Sequence, residues 1–315
     1  MLEGRHVAVL GGAGFIGYHL CDRLLRDGNR VTAVDNLSTG SLTNVWLLDR
    51  HAGFRFVRHD ITDGIPLDGD VDYLVNLASP ASPKHYMERP LETLDVGSRG
   101  TYNAADYCLT NNVRMLMAST SEVYGDPQVA PQPETYWGNV NPVGPRSVYD
   151  EAKRFSEATV AAFQRTHNLD ARVARIFNTY GPRMQRDDGR AVPAFMSAAE
   201  RNQPMPVFGD GEQTRSLMYV DDLVDGLIAL LVSDVTTPVN LGNPHEVTIR
   251  TLAEEVQAVW GIDVGIEYHP LPQDDPTRRN PDVSKADDLL NWRAKWPLRD
   301  GLQATADWWR GETTA

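Results

Sequence analysis

Short apolar and β-branched runs recur through the first half of the chain, at residues 6–10, 30–34, 54–58, 73–77, 114–118 and 171–176. Runs of this length predict buried strands. Between most of them lie stretches with apolar residues at helical spacing, the longest over 90–110 and 147–167. Strands alternating with helices predict an α/β fold with a doubly wound parallel sheet of the Rossmann kind. After Asn178 the pattern changes. Pro182, Pro193, Pro204, Pro206, Pro238, Pro244, Pro270, Pro272, Pro276 and Pro281 punctuate shorter elements, which predicts a smaller lobe covering the crevice. The expected division is a Rossmann domain over 1–177 and a substrate lobe over 178–315. That lobe is expected to be discontinuous, with part of 207–241 returning to the first domain. No internal repeat or coiled-coil heptad interrupts the pattern.

The first predicted strand runs straight into Gly11-Gly12-Ala13-Gly14-Phe15-Ile16-Gly17 and then a helical segment. Gly11 permits the tight turn, Gly14 lets the backbone approach a pyrophosphate at the helix N-terminus, and Gly17 lets helix and strand pack closely. The second strand ends in Asp35, where an acid can hydrogen-bond an adenosine ribose. Asp35 is followed by Asn36 with no nearby Arg, an arrangement that repels a 2′-phosphate. The expected cofactor is therefore NAD rather than NADP.

Composition narrows the class of partner. With 43 Asp and Glu against 30 Lys and Arg, the formal charge is −13. This argues against nucleic acid or an anionic membrane as a main partner. Cys21 and Cys108 are the only cysteines, too few for a disulfide framework, and they fit a reducing compartment. The sequence has no basic-then-apolar leader and no apolar run of bilayer length, so the expectation is a cytoplasmic protein. The histidines show no metal-ligand spacing, and no metal is expected.

The candidate chemistry lies in two segments. Tyr149 and Lys153 stand at i and i+4, on one face of a predicted helix. A free phenol titrates near pH ~10, too high for an efficient base, but a cation within ~4–6 Å stabilises the phenolate. The alternative is an ordinary amphipathic helix, yet the chain has only four lysines. Thr120, Ser121 and Glu122 follow the fifth predicted strand, and ligands in open parallel sheets sit beyond the carboxyl ends of strands. Together these residues predict an oxidoreductase site whose base is a tyrosinate.

With these residues in hand, the chain resembles the extended short-chain dehydrogenase/reductase superfamily, and within it the UDP-glucuronate decarboxylases, or UDP-xylose synthases. The resemblance runs nearly end to end. Its most distinctive stretch is Tyr136-Trp137-Gly138-Asn139-Val140-Asn141-Pro142, and it includes 119–126, 149–154, Asp188-Gly189-Arg190, 209–216 and 274–282. The resemblance implies that Gly11, Gly14, Phe15, Ile16, Gly17, Asp35, Asn36, Ser38, Thr39, Gly40, Asp60, Ile61, Leu77 and Ala78 hold NAD together with Tyr149 and Lys153. It implies catalytic roles for Thr120, Ser121, Glu122, Tyr149 and Lys153. Tyr86, Asn178, Arg183, Arg190, Arg215 and Arg279 would bind a UDP-sugar, with Arg215 and Arg279 the best candidates for its anionic groups.

The implied reaction oxidises C4 of UDP-glucuronate, loses carbon dioxide from the resulting β-keto acid, and returns hydride to give UDP-xylose. Related 4,6-dehydratases carry an acid where Ser121 stands, and related 4-epimerases usually lack a carboxylate where Glu122 stands; either activity is an alternative, as is a non-catalytic NAD-sensing protein. The resemblance also implies a homodimer through the helices at 91–109 and 148–163. Four positions depart from the pattern: Ala152 replaces Gly, Ser79 replaces Cys, Asn280 replaces a basic residue, and Gly97 stands where Asn is common.

Overall fold

The computed structural model describes residues 2–271 and 278–313. Segment 272–277, which carries Pro272, Pro276 and the start of the 274–282 motif, lies outside the described residues. The first half of the chain forms β1 (His6–Leu10), α1 (Phe15–Arg26), β2 (Arg30–Asp35), α2 (Leu42–Leu48), β3 (Phe54–Arg58) and β4 (Tyr73–Asn76). It continues through α3 (Pro83–Glu88), α4 (Pro90–Asp95), α5 (Thr101–Asn111), β5 (Arg114–Thr120), α6 (Ser147–His167) and β6 (Ala171–Ile176). The second half begins with β7 (Thr179–Tyr180), α7 (Ala191–Glu200), β8 (Met205–Phe208), β9 (Thr214–Ser216), β10 (Met218–Tyr219) and α8 (Val220–Val232). It ends with β11 (Val239–Leu241), β12 (Glu246–Thr248), α9 (Ile249–Trp260), β13 (Ile266–His269), β14 (Arg278–Arg279), α10 (Ser284–Leu290) and α11 (Leu298–Thr313).

Seven parallel strands form the central sheet in the order β11-β6-β5-β4-β1-β2-β3. Successive side chains of a strand point to opposite faces, and β1 feeds both cores accordingly. Val7 and Val9 join the cluster under α1 and α8, whereas Ala8 and Leu10 join the one under α5 and α6. A sheet covered on both faces explains why its strands read as near-continuous apolar runs. β1 lies between β2 and β4, so the direction of winding reverses there. A crevice opens at that point, beyond the carboxyl ends of the strands.

The smaller lobe has its own core of α7, α9 and α11 residues, including Phe195, Leu252 and Trp309. Its strands pair in small sheets: β12-β9-β14, β13-β8 and β10-β7. β11 alone of the later strands joins the large sheet, alongside β6, while α8 packs on the first core. The uninterrupted helix expected over 90–110 is instead broken by a π-helical turn at Val96–Gly100. α6 runs unbroken and turns Tyr149, Ala152, Lys153, Ser156, Val160 and Phe163 inward, a stripe at helical spacing.

Candidate active site

The cleft between the lobes encloses a cavity of about 460 Å³, and its two ends are built differently. At the β1 end the backbone shapes it. Gly11 has φ +79°, and a Cβ there would stand 2.8 Å from the Ala78 nitrogen; at Gly17 a Cβ would stand 2.1 Å from the Gly11 carbonyl oxygen. Gly14 caps α1 with extended backbone and no side-chain hydrogen bond, and the first turn of α1 contains no acid. Uncapped N–H groups at a helix N-terminus favour an anionic ligand.

Asp35 accepts from the Ala13 and Leu37 amides at 3.1 and 2.8 Å. Burial nevertheless pushes its carboxyl up, against those two hydrogen bonds. Gly40 does not line the cavity but makes room for this carboxylate, since a Cβ there would lie 2.8 Å from Asp35 Oδ1. Asp60 ties the neighbouring loop together, accepting from Asn36 Nδ2 at 2.8 Å and from the Thr62 amide at 2.9 Å. The remaining predicted cofactor residues, Phe15, Ile16, Ser38, Thr39, Ile61, Leu77 and Ala78, all line the cavity. Gln185 of the second lobe reaches across to donate to the Thr39 carbonyl at 2.7 Å.

At the β5 end side-chain charge shapes the cavity. Thr120 closes β5, and a 3₁₀ turn at Ser121–Tyr124 follows, with the Glu122 amide donating to Thr120 Oγ1 at 3.3 Å. Thr120, Ser121, Glu122, Tyr149 and Lys153 all line the cavity, as do Asn178 and Arg190. Burial pushes the Tyr149 phenol up and the Glu122 carboxylate pushes it further, while a hydrogen bond with Thr120 and the charge of Arg190 act the other way. Tyr86 stacks on Tyr149 with ring centroids 5.1 Å apart.

Lys153 departs from expectation. Its Nζ donates to the Ala118 carbonyl at 2.9 Å and lies 5.9 Å from the Tyr149 ring centroid. Burial brings its ammonium down to about 8. In the protein alone, burial and the Glu122 charge thus push the phenol up.

Glu122 anchors this end. Arg146 Nη2 donates to its Oε2 at 3.0 Å and Arg279 Nη1 to its Oε1 at 3.2 Å, with all three residues largely shielded from solvent. Burial would raise this carboxyl, but Arg279 and Arg146 hold it well below the usual carboxylate range. Arg279 arrives from β14, whose register sets it beside Arg215 of β9. Neither Arg215 nor Arg279 lines the cavity directly, nor does Tyr86.

Arg183 points elsewhere, over the Tyr18 ring at 4.4 Å and toward Asn44 Oδ1 at 3.3 Å. Arg190 spends its fork on Asp188, at 2.5 and 2.8 Å. These two arginines already have aromatic or carboxylate partners in the protein.

Comparison with known proteins adds a lineage to this geometry. Residues 7–242 match the model of the NAD dependent epimerase/dehydratase family. The chain belongs to that family. It is similar to UDP-glucuronic acid decarboxylase 1 of Xenopus tropicalis, at 47% identity over 310 residues, covering 98% of this chain and 73% of the relative. Among solved structures it is similar to the UDP-glucose 4-epimerase of Thermotoga maritima with UDP-glucose, with a TM-score of 0.90 and 29% identity; the match covers 98% of this chain and 99% of that one. It is likewise similar to the dTDP-glucose 4,6-dehydratase DesIV of Streptomyces venezuelae with NAD bound, with a TM-score of 0.89, 26% identity and 98% of both chains covered.

As a member of an NAD-dependent family, the chain presents a donor set that fits the cofactor. The uncapped N-terminus of α1 faces where a pyrophosphate belongs, and Asp35 stands where a ribose diol can donate to it. Two of the chain's departures from the decarboxylase pattern touch each other. A Cβ on Gly97 would stand 2.7 Å from the Ala152 Cβ, so the side chain present at 152 requires its absence at 97. The π-helical turn persists without an Asn there, with Ser156 Oγ donating to the Gly97 carbonyl at 2.7 Å.

Sequence reasoning missed Arg146 and Asp150 as site residues. One signal was available: a cation at the start of α6 opposes the helix dipole, which argues that Arg146 has a partner elsewhere. It also missed Gln185 and Asp188, which line the cavity, and Lys84, which ion-pairs with Asp187 across the lobes. For these no local signal exists.

Proposed function

We propose that this protein is a UDP-glucuronate decarboxylase that converts UDP-glucuronate to UDP-xylose. The observation that carries the reading is the Glu122 carboxylate held between two largely shielded guanidinium groups beside Tyr149. Dehydration needs a strong acid at position 121, and Ser121 is a poor one. Epimerisation at C4 has no use for a carboxylate clamped there. A substrate carboxylate does need cations near the reacting ring, and Arg279, held by Glu122 behind the cavity wall, would reach it by exchanging one carboxylate partner for another.

NAD bound in the cavity supplies the hydride acceptor for C4, the hydride for the return step, and a positive charge that favours the Tyr149 phenolate. Tyr149 removes the C4 hydroxyl proton. The ketone so formed is β to the C5 carboxylate, whose bond electrons pass into the carbonyl as carbon dioxide leaves. Thr120 and Tyr149 hydrogen-bond the developing oxyanion. A proton then reaches C5, and Tyr149 gives its own proton back to the C4 oxygen.

Exposed apolar side chains on α4, α5 and α6, among them Leu91, Tyr102 and Phe155, support a homodimer through these helices. Sedimentation checks this part of the reading. The buried free thiols of Cys21 and Cys108 fit a reducing, cytoplasmic setting. The functional division remains a Rossmann domain over 1–177 and a discontinuous nucleotide-sugar lobe over 178–315.

The decisive experiment incubates the protein with UDP-glucuronate and catalytic NAD, with the product read by NMR and the reduced cofactor by absorbance. UDP-xylose with no build-up of NADH is the expected result. UDP-galacturonate would make the protein an epimerase. Stoichiometric NADH with a released 4-keto sugar would mean that the cycle does not close, and no turnover of any nucleotide sugar would favour an NAD-sensing role.

A further inference from the structure

Asp150, which follows Tyr149 on α6, is buried in hydrogen-bonding contact with Glu122. Two carboxylates in such contact cannot both stay ionised, so the pair holds one proton between them. The surroundings decide where that proton sits. Glu122 accepts from Arg146 and Arg279, and both donors favour the ionised form. Among the described residues Asp150 Oδ1 is buried without a hydrogen-bond partner. A carboxyl with a buried, unpartnered oxygen beside a carboxylate is held in its neutral form.

We propose that Asp150 is a positioning residue that keeps a proton in store for Glu122, so that Glu122 can protonate C5 of the sugar after carbon dioxide has left. The idea rests on the decarboxylase reading above. In the balanced step, the bond from C5 to the carboxylate breaks and its electron pair enters the C4 carbonyl. As the enolate collapses, the Asp150 proton moves to the Glu122 carboxylate, Glu122 passes it to C5, and Asp150 is reprotonated from solvent. Arg279 drives the order of events. While it pairs with Glu122 it favours the carboxylate; once it turns to the substrate carboxylate, Glu122 loses a cation and becomes a better proton acceptor from Asp150.

The groups facing Asp150 fit a site tuned for one proton. Glu122 comes from the turn after β5, Arg279 from β14, Arg146 from the start of α6 and Tyr86 from α3. Among the described residues Tyr86 Oη and Arg279 Nε are also buried without hydrogen-bond partners, so neither is engaged with the Asp150 carboxyl. Burial and the Glu122 charge both push the Asp150 carboxyl up, while Arg279 and Arg146 pull the other way. The protonated acid should thus persist at neutral pH, as a donor must.

The test compares wild type with Asp150→Asn and Asp150→Ser, each assayed for NAD binding, KM, kcat and the pH dependence of kcat with UDP-glucuronate. The expected result is a fall in kcat of at least ~10²-fold, the low end for loss of a positioned proton donor, with KM and NAD binding near wild type. In wild type kcat should fall on the alkaline side as Asp150 ionises, and that limb should be missing from both variants. If either variant folds with wild-type kcat, or if kcat falls while the pH profile keeps its wild-type shape, Asp150 holds no proton for the reaction. Wild-type protein that releases no carbon dioxide would instead remove the decarboxylase reading, a separate failure visible before any variant is made.

Discussion

The two ends of the cleft solve the same problem, holding an anion in an acidic protein, by opposite means. At the β1 end the donors are backbone amides, shaped by glycines a few residues apart, and the turn from Gly11 to Gly17 lies within seven consecutive positions. At the β5 end the donors are guanidinium groups brought from far along the chain. Arg146 and Arg279 stand 24 and 157 positions from the carboxylate they share. Backbone donors keep their charge at any pH and barely move, so they suit a cofactor that stays. Paired side chains can change partners and exchange protons, so they suit a substrate whose charge changes during the reaction.

The sharpest way to separate the two ends is to remove one oxygen at the reactive one. Tyr149→Phe should bind NAD as well as wild type, measured by calorimetry, and lose at least ~10²-fold in kcat, the usual scale for a positioned acid–base group. Loss of NAD binding in this variant would merge the two ends into one cooperative unit. Arg279→Ala should come next, weakening UDP-glucuronate about ten- to a hundredfold. That is the ~1.5–3 kcal/mol of a charge-assisted hydrogen bond, and NAD affinity should be untouched. Unchanged UDP-glucuronate binding would leave Arg279 a partner of Glu122 alone.

The converse substitution addresses the backbone end. In Gly17→Ala the new Cβ meets the Gly11 carbonyl oxygen, and neither atom is the far end of a flexible side chain. The turn must shift, at a cost typical of overpacking, about 1–3 kcal/mol. The expected outcome is a lower melting temperature and weaker NAD binding in calorimetry. A variant with wild-type NAD affinity would show that the turn has slack that the close contact does not suggest.

The same contrast sets what could be read from the sequence. β1, β3 and β6 lie where the apolar runs predict them, and α6 spans 147–167 as expected, because a sheet buried on both faces leaves a local mark on every strand. The two- and three-residue strands of the second lobe, β7, β9, β10, β12 and β14, leave none. They form because the lobe's fold brings them together, and Arg279 owes its place to one of them. The π-helical turn at Val96–Gly100 was equally hidden, since its residues carry ordinary helical spacing and only the contact of Gly97 with Ala152 gives it away. Glu122 could be named from the sequence, but its partner Asp150 could not. Nothing in the order Tyr149-Asp150 says that the second residue is buried against a carboxylate carried by a turn far earlier in the chain.

The smallest expected effect concerns stability, and it tests the charged end without any substrate. In the unfolded chain Asp150 ionises near pH ~3.9, whereas in the folded protein burial and Glu122 hold its value well above that. As pH rises, the unfolded state gives up the proton first, so Asp150 costs stability progressively from about pH 4 upward until the folded group ionises too. Glu122 has the opposite sign. Its folded value is lowered by Arg279 and Arg146, so its contribution is present above its unfolded value of ~4.3 and is lost as pH falls through the folded one. Asp150→Asn deletes only the first of these. Variant and wild type should melt together at about pH 4 and then separate as pH rises, the variant becoming the more stable by roughly 2 °C for each ~1 kcal/mol released. Melting curves across that range read the difference directly. A variant less stable than wild type at neutral pH would mean that the two arginines keep Asp150 ionised, and the proton would then have to be sought on Glu122.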